Sequence, residues 1–481
     1  MRQIRLSLIA ALTAALPLGA QGQRADNTAA LLAGLDARAA HYGDVAHQIW
    51  GFAEVGYQEV KSSALLQTEL AAAGFRVAKG VAGMPTAFTA EIGSGKPVIA
   101  ILGEFDALPG LSQDATPEKK ILVADGAGHG CGHHLFGTAA VASAIAVKEW
   151  MIANKVAGTL RFYGTPAEEG GSGKVYMVRE GLFKDVDVAV TWHPGDRNEV
   201  TGTSSLANIS GKFRFHGVSA HAAGAPDQGR SALDGVEVMD VMTNFLREHI
   251  PQESRIHYVI TNGGRAPNVV PDFAEVYYTV RHPEMKVVDD IWERVINAAK
   301  GAALGTGTTY DLTIISSVHN LLINRILAKV QQGALERVGG FAYTADETRW
   351  AQTLQKTLTN RAVPFDYSAK VQPLDVTSPV GGGSTDVGDV SWNVPTVQFN
   401  AATWVPGTPA HSWQAVAAGG MSIGTKGMVV AAKTMALTAA ELFLNPATIV
   451  AARAEFDQSR GPNFKYSTHL GSQKPALDYR K

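Results

Sequence analysis

The chain has 481 residues, enough for two domains and a sizeable core. Its 46% hydrophobic and 18% charged content is that of an ordinary globular protein. A net charge of -2 and the lack of any basic run give no reason to expect nucleic acid or an anionic membrane as partner.

Arg2 and Arg5 precede an apolar run over 6–16, too short to span a bilayer with ease. A small, turn-prone stretch over 17–22 follows, with Ala20 and Gly22 at minus-three, minus-one spacing. This reads as a secretory signal over 1–22, cleaved on export to the periplasm or beyond. No later segment reads as a membrane span. The chain holds a single cysteine, so no intramolecular disulfide can form. A lone thiol in an oxidising compartment is a liability, and metal ligation would protect it.

Helices are expected over 28–50 and 62–73, then strands over 86–92 and 97–102. The second strand ends in Gly103-Glu104-Phe105-Asp106, with a carboxylate just past a buried run. Next comes Gly128-His129-Gly130-Cys131-Gly132-His133-His134, which opens an Ala-rich helix over 135–152. The small residues let the backbone turn tightly and aim several side chains at one point. A thiolate at Cys131 and an imidazole at His133 suit a borderline-soft divalent metal. By itself the stretch could also be a buried thiol beside surface histidines. A strand over 159–163 ends in Pro166-Ala167-Glu168-Glu169-Gly170-Gly171, and one over 186–191 ends in Trp192-His193-Pro194. Strand–helix alternation predicts a largely parallel α/β sheet. Functional groups gather beyond the carboxyl ends of such strands, where Asp106, Glu168, Glu169 and His193 stand.

The period then changes. Strand 207–216, helix 231–249, strands 255–261 and 273–281, helix 287–303 and strand 308–316 follow in order. Val276, Tyr278 and Val280 carry the alternation of the third strand. This β-α-β-β-α-β order is the split βαβ, ferredoxin-like unit. It predicts a compact α+β domain over 206–318, inserted between catalytic parts 23–205 and 319–447. The second part holds a helix over 321–338, a Gly381-Gly382-Gly383-Ser384-Thr385-Asp386 loop, a strand over 394–400, and His411-Ser412 before a helix over 413–444. Ser412 is its N-cap candidate. The Gly-rich loop lacks the Gly-Lys-Ser/Thr ending of a phosphate loop, so nucleotide binding is not expected. The tail over 448–481 is expected to be irregular and without chemistry.

With these residues in view, the chain resembles the co-catalytic metallohydrolases of peptidase family M-twenty, subfamily D, over about residues 30–445. That group includes aminoacylases, hippurate hydrolases and indole-acetyl-amino-acid hydrolases. The resemblance is carried by His129 to His133, Pro166 to Glu169, Ser219-Ala220-His221-Ala222-Ala223, Gly229-Arg230-Ser231, Ala266-Pro267-Asn268-Val269-Val270-Pro271 and His411-Ser412-Trp413. It implies a mostly parallel-sheet metallohydrolase domain with an inserted ferredoxin-like lid and dimerisation domain. It also implies five metal ligands, Cys131, His133, Glu169, His193 and His411, with Glu168 as general base. Five ligands suit two divalent ions, zinc or manganese, better than one tetrahedral ion with an open position. His134 stands where much of the family has Asp or Asn, and Glu104 to Asp106 replaces a more acidic segment, which leaves the role of Asp106 open. The family further implies that His221 acts on the oxyanion in the opposite protomer of a homodimer built through the lid. Asn268, Arg230 and Arg265 are candidates for contacts to the substrate. The implied reaction is hydrolysis of an aromatic or other acyl amide of an amino acid such as glutamate. The alternative is a non-catalytic metal-binding or partner protein on the same fold, which the intact Glu168 disfavours.

Overall fold

A computed structural model describes residues 19–361, 363–378 and 380–480. Most of the expected signal segment, 1–18, lies outside them. Helices α1 (Gly19–Ala37), α2 (Ala39–Phe52) and α3 (Val60–Ala72) come first, then strands β1 (Arg76–Lys79), β2 (Phe88–Ser94) and β3 (Val98–Glu104). Next are α4 (His133–Ala153), β4 (Gly158–Thr165), the short turn α5 (Glu168–Gly171), α6 (Gly173–Arg179) and β5 (Val188–Val190). Strands β6 (His193–Gly195) and β7 (Glu199–Val200) lead to β8 (Ala207–His216), α7 (Ala232–Leu246), β9 (Arg255–Asn262), β10 (Phe273–His282), α8 (Met285–Thr306) and β11 (Thr309–Val318). The chain closes with α9 (Arg325–Val338), α10 (Ala345–Gln355), α11 (Val387–Ser391), β12 (Thr396–Val397), β13 (Phe399–Ala402), α12 (Trp413–Gly419), α13 (Ser422–Leu444) and α14 (Pro446–Arg460).

The main sheet runs β1-β2-β4-β3-β5-β12. Its β4/β3, β3/β5 and β5/β12 pairings are parallel, whereas β1/β2 and β2/β4 are antiparallel. β3 is buried along its whole length, as a central strand covered on both faces must be. Ile99 and Ile101 face the cluster built on α4 and α13, and Ala100 and Leu102 face the one that includes α6 and α11. Helices α4 and α13 are apolar enough to cross a membrane, but 83% and 78% of their most apolar windows are buried in the protein, so they are core helices. The inserted sheet, β11-β8-β10-β9, is antiparallel throughout, with α7 and α8 packed on one face around Phe213, Tyr278 and Trp292.

Several expectations differ from the fold. The helix expected over 28–50 breaks at Arg38, whose φ/ψ of -105/8 is non-helical and whose guanidinium pairs with Glu149 of α4. The helix expected over 413–444 breaks between Gly419 and Ser422. There the carbonyls of Gly419 and Gly420 accept hydrogen bonds from His134 and His47 instead of continuing the helix. The tail, expected to be irregular, begins instead as a helix, and only residues 461–480 lack regular structure. α14 is followed by a strap, residues 461–480, whose Leu470 is buried in the core and whose end reaches the cavity described next.

Candidate metal centre and active site

The central strands β4, β3 and β5 lie side by side and parallel, so their carboxyl ends open onto one place. Glu104 and Asp106 come from the end of β3, Glu168 and Glu169 from the turn after β4, and His193 from β6 just beyond β5. His133 opens α4, and the left-handed Gly132 turns Cys131 and His133 toward the same point. His411 adopts φ 58, and its backbone N–H donates to the Gly130 carbonyl at 2.9 Å, which ties its loop to the Cys131 loop.

Ligand-type atoms converge in three groups, each within 4.8 Å: Cys131, His133 and His193; Cys131, Glu169 and His411; and Glu104, His133 and Glu168. The first two share Cys131 and together hold the five ligands implied by the resemblance. His193 Nδ1 lies 2.7 Å from the Pro194 carbonyl, so that nitrogen carries the proton and Nε2 presents its lone pair, 3.4 Å from Cys131 Sγ. His133 Nδ1 lies 2.9 Å from Asp106 Oδ1, which orients its Nε2 in the same way. Asp106 Oδ2 accepts the Glu169 backbone N–H at 2.9 Å. One buried carboxylate therefore bonds to two of the five residues.

Three buried polar atoms in this cluster lack a hydrogen-bond partner: His133 Nε2, Glu104 Oε2 and Glu169 Oε1. They are not isolated. His133 Nε2 lies 3.1 Å from Glu104 Oε2, and His411 Nε2 lies 3.2 Å from Glu169 Oε1, without the alignment of a hydrogen bond. Buried polar atoms left unpaired are costly. Divalent cations among thiolate, imidazole and carboxylate donors would satisfy all three, so the residues fit a metal pair. His133 is pushed well above its ordinary pKa: burial opposes the charged ring, but Cys131, Asp106 and Glu104 outweigh it. A proton and a cation thus compete for the same lone pair.

Glu168 is half-buried, and burial with the charges of Glu104 and Glu169 holds its carboxyl well above the usual carboxylate range. Glu169 goes the other way. Burial opposes its ionisation, but His411 and His133 draw it below the ordinary value. The turn that carries both is bent, with Ala167, Gly170 and Ser172 at φ 55, 89 and 59. Such positions cost about 1–3 kcal/mol each for non-glycine residues and persist only where the surroundings hold them. Here Glu59 accepts the Ala167 N–H at 2.8 Å, and the Tyr57 hydroxyl donates to the Gly171 carbonyl at 2.5 Å. The Tyr479 hydroxyl and Arg480 Nη2 of the strap donate to the Glu169 carbonyl at 2.9 and 2.6 Å. Beneath the site, the fully buried Lys174 bridges Glu104 at 2.6 Å and Asp386 at 2.5 Å.

A cavity of about 860 Å³ opens over the cluster, a size suited to a small organic substrate. Its floor is Cys131, Glu168, Glu169, His193 and His411, and its far wall is the lid sheet. The alternation of β10 buries Val276, Tyr278 and Val280 against α7 and α8 and turns Tyr277, Thr279 and Arg281 to the cavity. The sequence reading used the apolar half of that strand and missed the polar half, although the same period marks both. It also gave no role to Glu104 or Arg480.

His221, Asn268, Arg230 and Arg265 do not line the cavity of their own chain. All four are exposed on the lid. The His221 and Asn268 segments pair as neighbours through the His221–Val269 bridge. Arg230 Nη1 donates to the carbonyls of Asp227 and Gly229. His129 and His134 lie under the floor, with Nε2 bonded to the Ile49 and Gly419 carbonyls, and hold the architecture rather than a metal.

Residues 205–306 match a peptidase dimerisation domain. The chain is 45% identical over 449 residues to one of the component chains of the p-aminobenzoyl-glutamate hydrolase of Escherichia coli, covering 88% of this chain and 93% of the relative. It is 28% identical to the Xaa-Arg dipeptidase of Mus musculus, covering 88% and 90%. In fold it is similar to a dinuclear metal-binding peptidase of the M-twenty family from Bacillus subtilis, with a TM-score of 0.57 at 17% identity, covering 85% of this chain and 99% of the other.

Proposed function

This chain belongs to peptidase family M-twenty, and on that premise we propose that it is an exported, metal-dependent amidohydrolase of N-acyl amino acids, with p-aminobenzoyl-glutamate its leading substrate. The observation that carries the reading is the convergence of five candidate ligand residues around Cys131, with two unpartnered buried atoms among them, a third on Glu104, and Glu168 alongside. Two divalent ions, when bound, supply a Lewis acid for the amide carbonyl and make water more acidic. Zinc suits the thiolate and imidazole donors, and manganese is its rival through the carboxylates.

The chain's own residues supply the rest. Glu168 takes a proton from water and returns it to the leaving amide nitrogen. The packing and charges that raise its proton affinity suit that shuttle. Glu169, its neighbour, is turned to His411 and held by Asp106 and the strap. The lid wall of Tyr277, Thr279 and Arg281 closes over the substrate, and the half-buried Arg281, whose Nη1 donates to Ser384 Oγ at 3.0 Å, presents a cation to its carboxylate.

The working form is a homodimer. Support comes from the exposed lid edge β9, where Tyr258, Val259 and Ile260 are bare, and from the exposed Val241 and Phe245 on α7. His221 and Asn268 stand together on that exposed lid and would act in the partner's site.

The test uses the purified, metal-reconstituted chain alone. Elemental analysis should find two divalent ions per chain, and chromatography should detect p-aminobenzoate released from p-aminobenzoyl-glutamate. The Escherichia coli relative is named as one component of its hydrolase, so the chain is assayed without any second component. Full metal loading with no turnover across a panel of N-acyl amino acids would sink the enzymatic reading in favour of a non-catalytic partner.

A further inference from the structure

The strap runs from the end of α14 back across both domains. Tyr466 donates to Asp389 Oδ1 at 2.7 Å, and Arg179 holds the Gly471 and Gln473 carbonyls at 3.0 and 2.7 Å. On the lid side, His469 meets Asp289 of α8 at 2.7 Å, and Gln473 donates to the Ile314 carbonyl of β11 at 2.8 Å. Gln58 then donates to the Leu477 carbonyl at 2.7 Å. Tyr479 sits in a slot cut by glycines: a Cβ on Gly56 would lie 2.3 Å from its hydroxyl oxygen, and one on Gly171 3.2 Å from its ring. The segment is therefore fixed along its length, and its end is aimed.

What it aims is Arg480. Among the residues lining the cavity only Arg281 and Arg480 carry a guanidinium, and there is no lysine. Arg281 comes from the lid and Arg480 from the strap. Each is half-buried, and neither is ion-paired to a carboxylate among the described residues. Tyr277, Arg281 and Arg480 all line the one cavity, so a single ligand there can meet both guanidinium groups. The amidohydrolase reading gives Arg281 to the α-carboxylate that every amino acid carries, and Arg480, on another wall of the same cavity, remains for a second carboxylate on the side chain.

We propose that Arg480 is a specificity-determining residue that receives the side-chain carboxylate of an acidic leaving amino acid, while Arg281 receives the α-carboxylate. The assignment rests on the amidohydrolase reading and adds the residue that selects an acidic leaving group. Nη2 of Arg480 is anchored on the Glu169 carbonyl, and the remaining face of the planar fork can meet a carboxylate.

The experiment compares p-aminobenzoyl-glutamate with p-aminobenzoyl-glutamine, identical but for that carboxylate, on wild type, Arg480→Gln and Arg480→Lys. The readout is the glutamate-to-glutamine ratio of kcat/KM. Any loss from loosening the Glu169 carbonyl falls on both substrates and cancels. Arg480→Gln should lower the ratio roughly 10- to 100-fold, the worth of a hydrogen bond to a charged group, and Arg480→Lys should lower it less. If Arg480→Gln does not fold, Arg480→Lys carries the comparison. A ratio unchanged within about threefold in the folded variants overturns the proposal and leaves Arg480 only a clamp on the Glu169 turn. If wild type hydrolyses neither compound, p-aminobenzoyl-glutamate falls as the leading substrate, which is a failure of the proposed function and not of the Arg480 assignment. Calorimetric binding of the same two compounds to wild type and the variants then decides the role of Arg480 by the same ratio.

Discussion

Glu168 and Glu169 are neighbours in the chain and part company in the site. Glu169 faces Cys131 and His411, while Glu168 joins Glu104 and His133. Consecutive side chains leave the backbone in different directions, and the left-handed Ala167 and Gly170 on either side sharpen the divergence. Glu168→Gln should keep both metals and slow turnover roughly 100- to 10,000-fold, the usual worth of a general base. Glu169→Gln should lose metal. Elemental analysis beside kinetics separates the two, and the reverse pattern would exchange their roles. Asp106 acts one step back. Asp106→Asn keeps the shape but can present an N–H to His133 Nδ1, so the ring loses its orienting acceptor. Metal affinity, read by competition with a chelator, should fall about 10- to 100-fold.

At the scale of elements, the site depends on how closely α4 approaches β3. Gly137 sets that distance. A Cβ there would lie 2.7 Å from the Glu104 carbonyl oxygen and 2.9 Å from Leu66 Cδ1. Neither the strand backbone nor a fully buried leucine can yield, so Gly137→Ala must push the helix outward. His133 stands one turn earlier on the same helix, facing Glu104 and Asp106 across the gap. The expected result is a stability loss of about 1–3 kcal/mol by denaturant titration. Weaker metal retention should accompany it, because the helix carries one proposed ligand, His133, and Asp106, which bonds to it, lies just past the strand end. Wild-type stability and metal content in this variant would show that the close approach is not what sets the site.

At the scale of the molecule, the cavity is walled by the catalytic sheet, the lid and the strap, yet the exposed His221 and Asn268 are not among its lining residues. A two-fold pairing through the lid exchanges one surface in both directions and can carry each His221 to the cavity of the opposite protomer. Mixing His221→Ala with Glu168→Gln protein tests this. A heterodimer has one site lacking both residues and one site lacking neither. Activity should return on exchange of protomers, up to about half of wild type per heterodimer by this counting of isologous sites. Demonstrated exchange with no recovery would place the action of His221 within its own chain or nowhere. Sedimentation of the unmodified protein as a monomer under assay conditions would end the trans reading outright.

What was legible from the sequence is what short-range pattern encodes. Apolar runs ending in Asp106, Glu168 and His193 are strand ends, and parallel strands bring their ends together. The change from strand–helix alternation to β-α-β-β-α-β marks the inserted domain, because the periods of 2 and 3.6 are properties of the local backbone. The clustering of Cys131 and His133 needs only a small, left-handed position between them. The tertiary structure alone decided the rest, which consists of pairings between distant positions. Lys174 meets Asp386 across 212 residues, and Arg480 meets the Glu169 carbonyl across 311. No local period announces such contacts, since they follow from which strand lies beside which and from where a polar tail is caught. For the same reason Asp106 becomes an orienter only once His133 and Glu169 are folded against it. Arg281 becomes a cavity residue only once the buried face of β10 is taken by α7 and α8.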